Sequence, residues 1–404
     1  MNARKYVVLR AKGREAGVRG GVLGGIRGSA VEALRGAEVT AETATLSTAE
    51  YKDILGAPEV LHMAPVMPVS LVQPKLLQGK DEEDFQDVAG VTWGLKATGA
   101  TASPFTGAGV TVAVLDTGID AKHEAFAGKA VVQKDFTGEG DGDRNGHGTH
   151  CAGTLFGGTV GGVRIGVAPG ISKALIAKVL DRRGSGSTEQ ILDGMLWAVR
   201  EGANVVSMSI GFDFPGLVRH LMEQEGLETE PATSQALSAY RENIRLFDSV
   251  AELVRAHSAM FGNATLIAAS GNESNRPRYE IVTAPPAAAD GFISVGALQL
   301  KARSGRELRV AAFSNALPVV SAPGVGIRSA RAGGGLAVMN GTSMATPHVA
   351  GVAALWLEQI RYANPGAHIR HLEGLLVGKA TLEFISDRED RTNAGAGLIQ
   401  APRA

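Results

Sequence analysis

The chain has 404 residues, a length that suggests two or three domains, and its 40 basic and 41 acidic residues leave a net charge of −1. This balance gives no reason to expect binding to nucleic acid or to an anionic membrane. A single cysteine, Cys151, excludes an intramolecular disulfide framework, and no apolar run reaches the length of a membrane span. Since the N-terminus lacks the apolar core of a signal peptide, we expect a protein that is cytoplasmic, or secreted without a recognisable signal peptide.

The first part of the chain has the pattern of a small α+β unit. The run 6–9 is a strand candidate, and a capping box formed by Ser47 and Glu50 predicts a short helix. The stretch 60–72, which contains two prolines, predicts one or two further strands. A polar, charged stretch at 75–89 follows and indicates a linker that is open to proteolysis.

From residue 107 onward, apolar strands alternate with helices, which indicates a parallel α/β sheet flanked by helices. We therefore predict a small domain over residues 1–80 and a catalytic α/β domain over residues 81–404. The stretch Phe212–Pro231 is polar and irregular, and we interpret it as a surface loop before a helix over Thr233–His257. The strand candidates are 110–115, 174–180, 203–209, 264–269, 292–297 and 319–322, and the other helix candidates are 147–156 and 187–201.

Three glycine-flanked stretches place polar side chains at the ends of predicted elements. Asp116 closes a buried strand, and His147 begins a helix. Ser343 lies at the positive end of another helix, and the apolar pattern of that helix predicts that it is buried on most sides. Singly, each has a structural explanation, such as a turn aspartate or a helix N-cap serine. Together they fit a triad in which Asp orients the imidazole and His takes the Ser proton.

A fourth stretch places an amide where an acyl-transfer site needs a donor. Asn272 follows another buried strand, and its side chain can donate to the oxyanion that forms on acyl attack, alongside the Ser343 N–H. The alternative is a turn asparagine that satisfies the backbone.

These stretches resemble the motif set of the subtilisin-like serine proteases, which share the chain order Asp, His, Ser. Over about residues 90–400, five motifs occur in the order of that family. They are Asp116-Thr-Gly, His147-Gly-Thr-His, Ser209-Ile-Gly, Gly271-Asn272 and Gly341-Thr-Ser343-Met-Ala.

The resemblance implies a seven-stranded parallel α/β sheet and endopeptidase activity through an acyl-enzyme intermediate. It implies that Asp116, His147 and Ser343 form the triad and that Asn272 serves the oxyanion hole. Further residues would bind substrate: two segments would pair with its backbone, and a third would line the pocket for the residue preceding the cut. These segments are Gly184, Ser185 and Gly186; Ser209, Ile210 and Gly211; and Ala269, Ser270 and Gly271.

The first 80 residues resemble, more weakly, the inhibitory propeptide of that family. This implies a zymogen that cuts itself within about residues 70–90, after which the released unit inhibits with its last strand lying in the cleft as an extended peptide. The expected partners are therefore polypeptide substrates and the chain's own propeptide, with no nucleic acid and no membrane.

One departure from the family pattern concerns a metal site. The stretch 156–167 has almost no side-chain oxygens where family members often carry a calcium loop. We therefore expect no cofactor for catalysis and no support in the sequence for a structural calcium. Cys151 lies one helical turn from His147. The default interpretation is a small, half-buried thiol. The alternative is a thiol that reacts with thiol reagents, because an imidazolium nearby would lower its pKa.

Two other functions are weighed against a protease. A regulatory module on an inactive protease scaffold is disfavoured because every catalytic position holds a competent residue. An esterase with a Gly-x-Ser-x-Gly nucleophile elbow is disfavoured because Ser343 is followed by Met and Ala.

Overall fold

The computed structural model describes residues 3–12, 38–75, 90–256, 264–301, 306–364 and 372–403. Most of the predicted linker, the predicted boundary between residues 80 and 81, and His257 lie outside this part of the chain. The two-domain division therefore stays a prediction.

The N-terminal unit is a three-stranded antiparallel sheet with strand order β2-β1-β3 and one helix. The predicted capping box is confirmed: the Ser47 hydroxyl accepts from the Glu50 N–H, and the Glu50 carboxylate accepts from the Ser47 N–H at 2.8 Å. A further short strand leaves this sheet. The elements are β1 Arg4–Lys12, β2 Glu38–Leu46, α1 Thr48–Leu55, β3 Val60–Pro65 and β4 Pro68–Leu71.

The rest of the chain forms a layered α/β domain. Its strands are β5 Thr111–Asp116, β6 Ala130–Asp135, β7 Thr159–Val160, β8 Val163–Arg164, β9 Lys173–Lys178, β10 Ser185–Ser187, β11 Val205–Met208, β12 Ile210–Phe212, β13 Thr265–Ala269, β14 Phe292–Leu300, β15 Leu308–Val310, β16 Val320–Pro323, β17 Ile327–Ala330 and β18 Leu336–Met339. Its helices are α2 Trp93–Ala97, α3 His147–Phe156, α4 Thr188–Arg200, α5 Phe214–Glu223, α6 Thr229–Ala256, α7 Thr342–Ala363, α8 Leu372–Lys379 and α9 Arg388–Asn393, with a 3₁₀ turn at Glu124–Phe126.

The central sheet has eight strands. Parallel pairing joins β16, β14, β13, β11, β5, β9 and β6 in that order, and β15 adds antiparallel to β14. The predicted parallel α/β fold is thus confirmed. Every predicted strand and helix of this domain is present, with its ends within a few residues of the prediction.

The interpretation of Phe212–Pro231 as a surface loop is wrong, because the stretch contains α5. The Asp213 carboxylate caps this helix by accepting from the Gly216 N–H at 2.8 Å. Leu217 and Leu221, four residues apart, both bury in the core. The polar residues at 223–231 concealed the short amphipathic helix before them, which packs against α6.

The packing of two helices positions the site. α7 is buried from Thr342 to Leu357 and packs against α3 and against the strands β11, β13, β14 and β16. The N-terminal ends of α3 and α7 therefore lie near the carboxyl end of β5. Polar side chains meet in this position in open α/β sheets.

The N-terminal unit rests on the α/β domain over a broad surface. β3 packs on α6, β2 packs on α4, and β4 lies between β10 and β12, antiparallel to both. None of the helices in the described ranges is both long and apolar enough to cross a membrane.

Candidate active site

Asp116 and His147 form a buried, hydrogen-bonded pair. The His147 Nδ1 lies 2.8 Å and 3.0 Å from the two carboxylate oxygens of Asp116, and both residues are at most 1% exposed. A carboxylate can only accept, so Nδ1 carries the proton and Nε2 of the neutral ring is left as the acceptor. The pair thus fixes both the orientation and the tautomer of the imidazole.

The absence of a side chain at Gly148 permits this approach of α3 to β5. A Cβ at Gly148 would stand 2.2 Å from the Gly118 carbonyl oxygen and 3.2 Å from the Asp116 Cβ. No side chain fits in that space, so the first turn of α3 can sit against the end of β5 only with glycine here.

The charge state of His147 reflects two opposing effects. Burial alone lowers the pKa of the imidazole, but the adjacent Asp116 carboxylate outweighs burial and holds the pKa well above its ordinary value. The Nε2 atom is buried and finds no hydrogen-bond partner among the described residues. His147 is therefore oriented on one side and unengaged on the other.

Ser343 is fully buried at the second position of α7, and its hydroxyl is directed at the N-terminal unit. The Oγ atom donates to the Val72 carbonyl oxygen at 3.0 Å. Among the described contacts no hydrogen bond joins Ser343 to His147, because the Ser343 hydroxyl donates to the Val72 carbonyl directly after β4. The structure brings Asp116 and His147 into contact and places Ser343 beside them with a different partner.

Asn272 directs its amide into the same cleft. Its Nδ2 donates to the Gln73 carbonyl oxygen at 2.9 Å, and its Oδ1 accepts from both the backbone N–H and the hydroxyl of Thr342, each at 2.9 Å. These two bonds fix which side of the amide faces the cleft. Sequence reasoning missed this role of Thr342, although its place beside Ser343 was a signal that could have found it.

The segments predicted to pair with a substrate backbone hold β4. β4 pairs with β10 on one side and with β12 on the other. Gly184 accepts from the Leu71 N–H at 2.7 Å, and Ser209 accepts from the Val72 N–H at 3.3 Å. A chain segment in extended form therefore fills the groove that these residues form. The predicted residues that lie along it are Gly184, Ser185, Gly186, Ser209, Ile210 and Gly211.

The third predicted segment lies directly before Asn272. Ala269, Ser270 and Gly271 are buried at the carboxyl end of β13. In the described part of the chain, their hydrogen bonds run to the α/β domain itself, for example from the Gly271 N–H to the Thr342 hydroxyl at 3.3 Å. Their predicted role in a side-chain pocket stays a prediction.

Asn340 binds the N-terminal unit at Lys75, two residues after Gln73. Its carbonyl oxygen accepts from the Lys75 N–H at 2.8 Å, and its Nδ2 donates to the Lys75 carbonyl oxygen at 2.8 Å. This pair of hydrogen bonds was not predicted, although Asn340 directly precedes the motif Gly341-Thr-Ser343-Met-Ala.

The alternative interpretation of Cys151, a thiol whose pKa is lowered, requires correction. Its thiol is 1% exposed, and burial raises its pKa above the ordinary value even though His147 is adjacent. The Sγ atom lies 3.7 Å from the His147 Nδ1 and donates to the Ser343 carbonyl oxygen at 3.4 Å. The thiol is therefore a protonated packing group under the site, because loss of solvation outweighs the nearby imidazole.

Two further histidines near the site are structural. The His150 Nε2 lies 3.0 Å from the Ile327 carbonyl oxygen, and burial lowers its pKa to about 3. The His348 Nδ1 donates to the Met344 carbonyl oxygen at 2.8 Å, and burial lowers its pKa to about 4. Both rings are neutral and are committed to the backbone.

A parallel α/β sheet with an Asp–His pair, a helix-terminal serine and a cleft asparagine at its carboxyl edge defines the subtilisin-like class of proteins. The sequence model of the subtilase family matches residues 107–397. The chain therefore belongs to the subtilase family, and the resemblance found in the sequence is confirmed.

Individual relatives agree with this assignment. The chain is 35% identical to subtilisin-like protease 6 of Trichophyton verrucosum (strain HKI 0517) over 269 residues, which cover 65% of the chain and 55% of the relative. It is 34% identical to subtilisin-like protease 6 of Trichophyton equinum over 289 residues, which cover 68% and 60%. The chain thus spans little more than half the length of these relatives. Among solved structures it is similar to a cold adapted subtilisin-like serine proteinase, with a TM-score of 0.52, 29% identity, and coverage of 75% of this chain and 92% of the other.

Proposed function

We propose that the chain is a serine endopeptidase that is made as a zymogen, with residues 1–80 as propeptide and residues 81–404 as catalytic domain. The proposal rests above all on one observation: β4 lies antiparallel between β10 and β12, and its continuation brings the Val72 carbonyl to Ser343. An extended peptide whose carbonyl contacts a serine hydroxyl beside a buried Asp–His pair is the arrangement that acyl transfer requires.

In this mechanism, Asp116, His147, Ser343 and Asn272 share the steps of acyl transfer. Neutral His147 takes the Ser343 proton through Nε2 while the Asp116 carboxylate stabilises the imidazolium that forms. The Ser343 oxygen attacks the peptide carbonyl, and the Asn272 amide and the Ser343 N–H donate to the oxyanion. His147 then delivers its proton to the leaving amine, and water hydrolyses the acyl-enzyme by the same route. No step calls for a cofactor.

The same contacts make the N-terminal unit an inhibitor. While β4 occupies the cleft, the Ser343 proton is engaged by Val72 and an incoming polypeptide finds the backbone groups of β10 and β12 already paired. We propose that cutting within about residues 70–90 separates the N-terminal unit from the catalytic domain and turns it into an inhibitor that can dissociate.

Active-site labelling and cleavage mapping test the proposal together. A fluorophosphonate probe should label the processed protein and fail to label Ser343→Ala, and only the former should hydrolyse casein. The Ser343→Ala chain should stay full length in the same host. Labelling and casein hydrolysis that persist in the folded Ser343→Ala protein would show that Ser343 is not the nucleophile.

A further inference from the structure

Two neighbouring carbonyls of the N-terminal unit compete for the site. The Val72 carbonyl oxygen accepts from Ser343 Oγ at 3.0 Å, whereas the Gln73 carbonyl oxygen accepts from Asn272 Nδ2 at 2.9 Å. In acyl transfer, the nucleophile and the oxyanion donor must serve the same carbonyl group. Ser343 and Asn272 therefore contact the carbonyls of two adjacent residues. Both the Val72–Gln73 bond and the Gln73–Pro74 bond are candidates for cutting.

Burial of side chains favours the Val72 carbonyl. Val72 is 3% exposed, and its Cγ2 lies 3.4 Å from the point where a Cβ at Gly211 would stand. Its N–H also donates to Ser209. Gln73, in contrast, is an exposed residue. Of the two candidates, Val72 is therefore the residue that the cleft binds through both its backbone and its side chain, and its carbonyl contacts the Ser343 hydroxyl.

The chemistry of proline disfavours the other bond. The nitrogen of the Gln73–Pro74 bond carries a ring carbon in place of hydrogen, and this carbon crowds the nitrogen to which His147 must deliver a proton. The ring cannot readily swing aside, because Asn340 holds the next residue, Lys75, through two hydrogen bonds of 2.8 Å. The Val72–Gln73 bond is an ordinary secondary amide without this obstacle.

We infer that the chain cuts itself between Val72 and Gln73, and that Pro74 is the residue that excludes the adjacent bond. This inference rests on the proposed protease function. Before attack, β4 keeps its register while the Val72 carbonyl turns so that its oxygen accepts from Asn272 in place of the Gln73 oxygen, and the Ser343 proton turns to the free His147 Nε2.

Bonds and protons balance in the cut. The Ser343 Oγ–carbon bond to Val72 forms as the Ser343 proton passes to His147, and the carbon–nitrogen bond to Gln73 breaks as His147 returns that proton to the nitrogen. Water then hydrolyses the ester and leaves Val72 as a carboxylate and Ser343 as a hydroxyl. Gln73 becomes the new N-terminus.

The mass of the released N-terminal fragment reports the bond directly. The full-length chain is purified and allowed to process, and early time points are read by intact-mass spectrometry before secondary cuts accumulate. Wild type should release a fragment that ends at Val72. Pro74→Ala should release, besides the fragment that ends at Val72, a second and less abundant fragment that ends at Gln73. Pro58→Ala is the matched control, since it removes a proline from the turn between α1 and β3, outside the cleft, and should give the wild-type fragment alone.

Each other outcome has a definite reading. A wild-type fragment that ends at Gln73 or elsewhere overturns the inference, and a Pro74→Ala fragment that ends only at Val72 overturns the role of Pro74. If the chain stays intact although the same preparation hydrolyses casein and the Ser343→Ala preparation does not, the inference is overturned. The proposed protease function is then supported. If neither casein nor the chain is cut, the proposed function itself fails.

Discussion

Asn243 offers the sharpest test of how the N-terminal unit is held. This residue of α6 is fully buried, and its Nδ2 donates to the Pro65 carbonyl oxygen of the N-terminal unit at 2.9 Å. Its other bonds, to Ala239 and Thr188, lie within the α/β domain. Asn243→Ala therefore removes one hydrogen bond between the two parts of the chain and leaves the other surfaces of contact in place.

The expected loss follows from this one bond. Losing a buried hydrogen bond costs about 0.5–1.5 kcal/mol, and leaving its acceptor under-satisfied raises the cost to about 1–3 kcal/mol. Since each 1.4 kcal/mol is a factor of ten, the released unit should bind Asn243→Ala about 5- to 150-fold more weakly than wild type. The bond to Ala239 is lost from free and bound enzyme alike, so it cancels in this difference. The Thr188 hydroxyl, which donates to Asn243, also accepts from the Met67 N–H at 3.2 Å, and that contact with the N-terminal unit stays available in the variant.

The assay is inhibition in trans. The N-terminal fragment released by processing is added back to processed enzyme, and its inhibition constant is measured on a short chromogenic peptide. Leu237→Ala, on the same helix and 59% exposed, is the matched control and should leave the constant unchanged. The kcat/KM of each variant on the short peptide, measured without inhibitor, shows whether the enzyme itself is intact. An unchanged inhibition constant in folded, active Asn243→Ala would refute the reasoning.

Three predictions concern the chemistry. Ser343→Ala should lower turnover by about 10⁶, the loss measured for the nucleophile in subtilisin, and a folded variant that keeps substantial activity would contradict the triad. Asn272→Ala should lower kcat by about 10²–10³, as for the corresponding donor in subtilisin, and a defect confined to KM would contradict its role. Because His147 must be neutral to accept a proton and Asp116 raises its pKa, self-processing of the intact chain should accelerate as pH rises above about 6.5. A flat profile between pH 5 and 8, with chemistry rate-limiting, would argue against this assignment.

The sequence predicted the positions of the polar groups well because each lies at the end of a strongly patterned element. Asp116 closes a continuous apolar strand, and His147 and Ser343 begin helices that packing buries. In a parallel sheet these ends share one edge, so local pattern and topology together bring the groups near each other. The capping box at α1 was equally readable, since it depends on two residues three positions apart, Ser47 and Glu50.

What the sequence left hidden depends on contacts between distant segments. Ser343 and Val72 are 271 positions apart, and no local pattern states which carbonyl will meet the hydroxyl. α5 was missed although Phe214, Leu217, Val218 and Leu221 recur at helical spacing, because the polar residues that follow at 223–231 dominated the interpretation of the whole stretch. The sign of the Cys151 pKa shift was missed because proximity to His147 could be inferred from helical spacing, but complete burial could not.

The geometry of the cleft explains how one groove can hold both the N-terminal unit and unrelated polypeptides. A Cβ at Gly184 would stand 2.8 Å from the Leu71 Cβ, so the groove is open because this position carries no side chain. β10 and β12 then bind β4 through backbone groups, which every peptide possesses. Side-chain selection is left to the few buried positions of the segment, which are Met67, Val69, Leu71 and Val72. Under the proposed function, the N-terminal unit and a substrate would compete for the same backbone groups, and the N-terminal unit would gain its advantage from its contacts with α4 and α6, which a simple peptide does not reach.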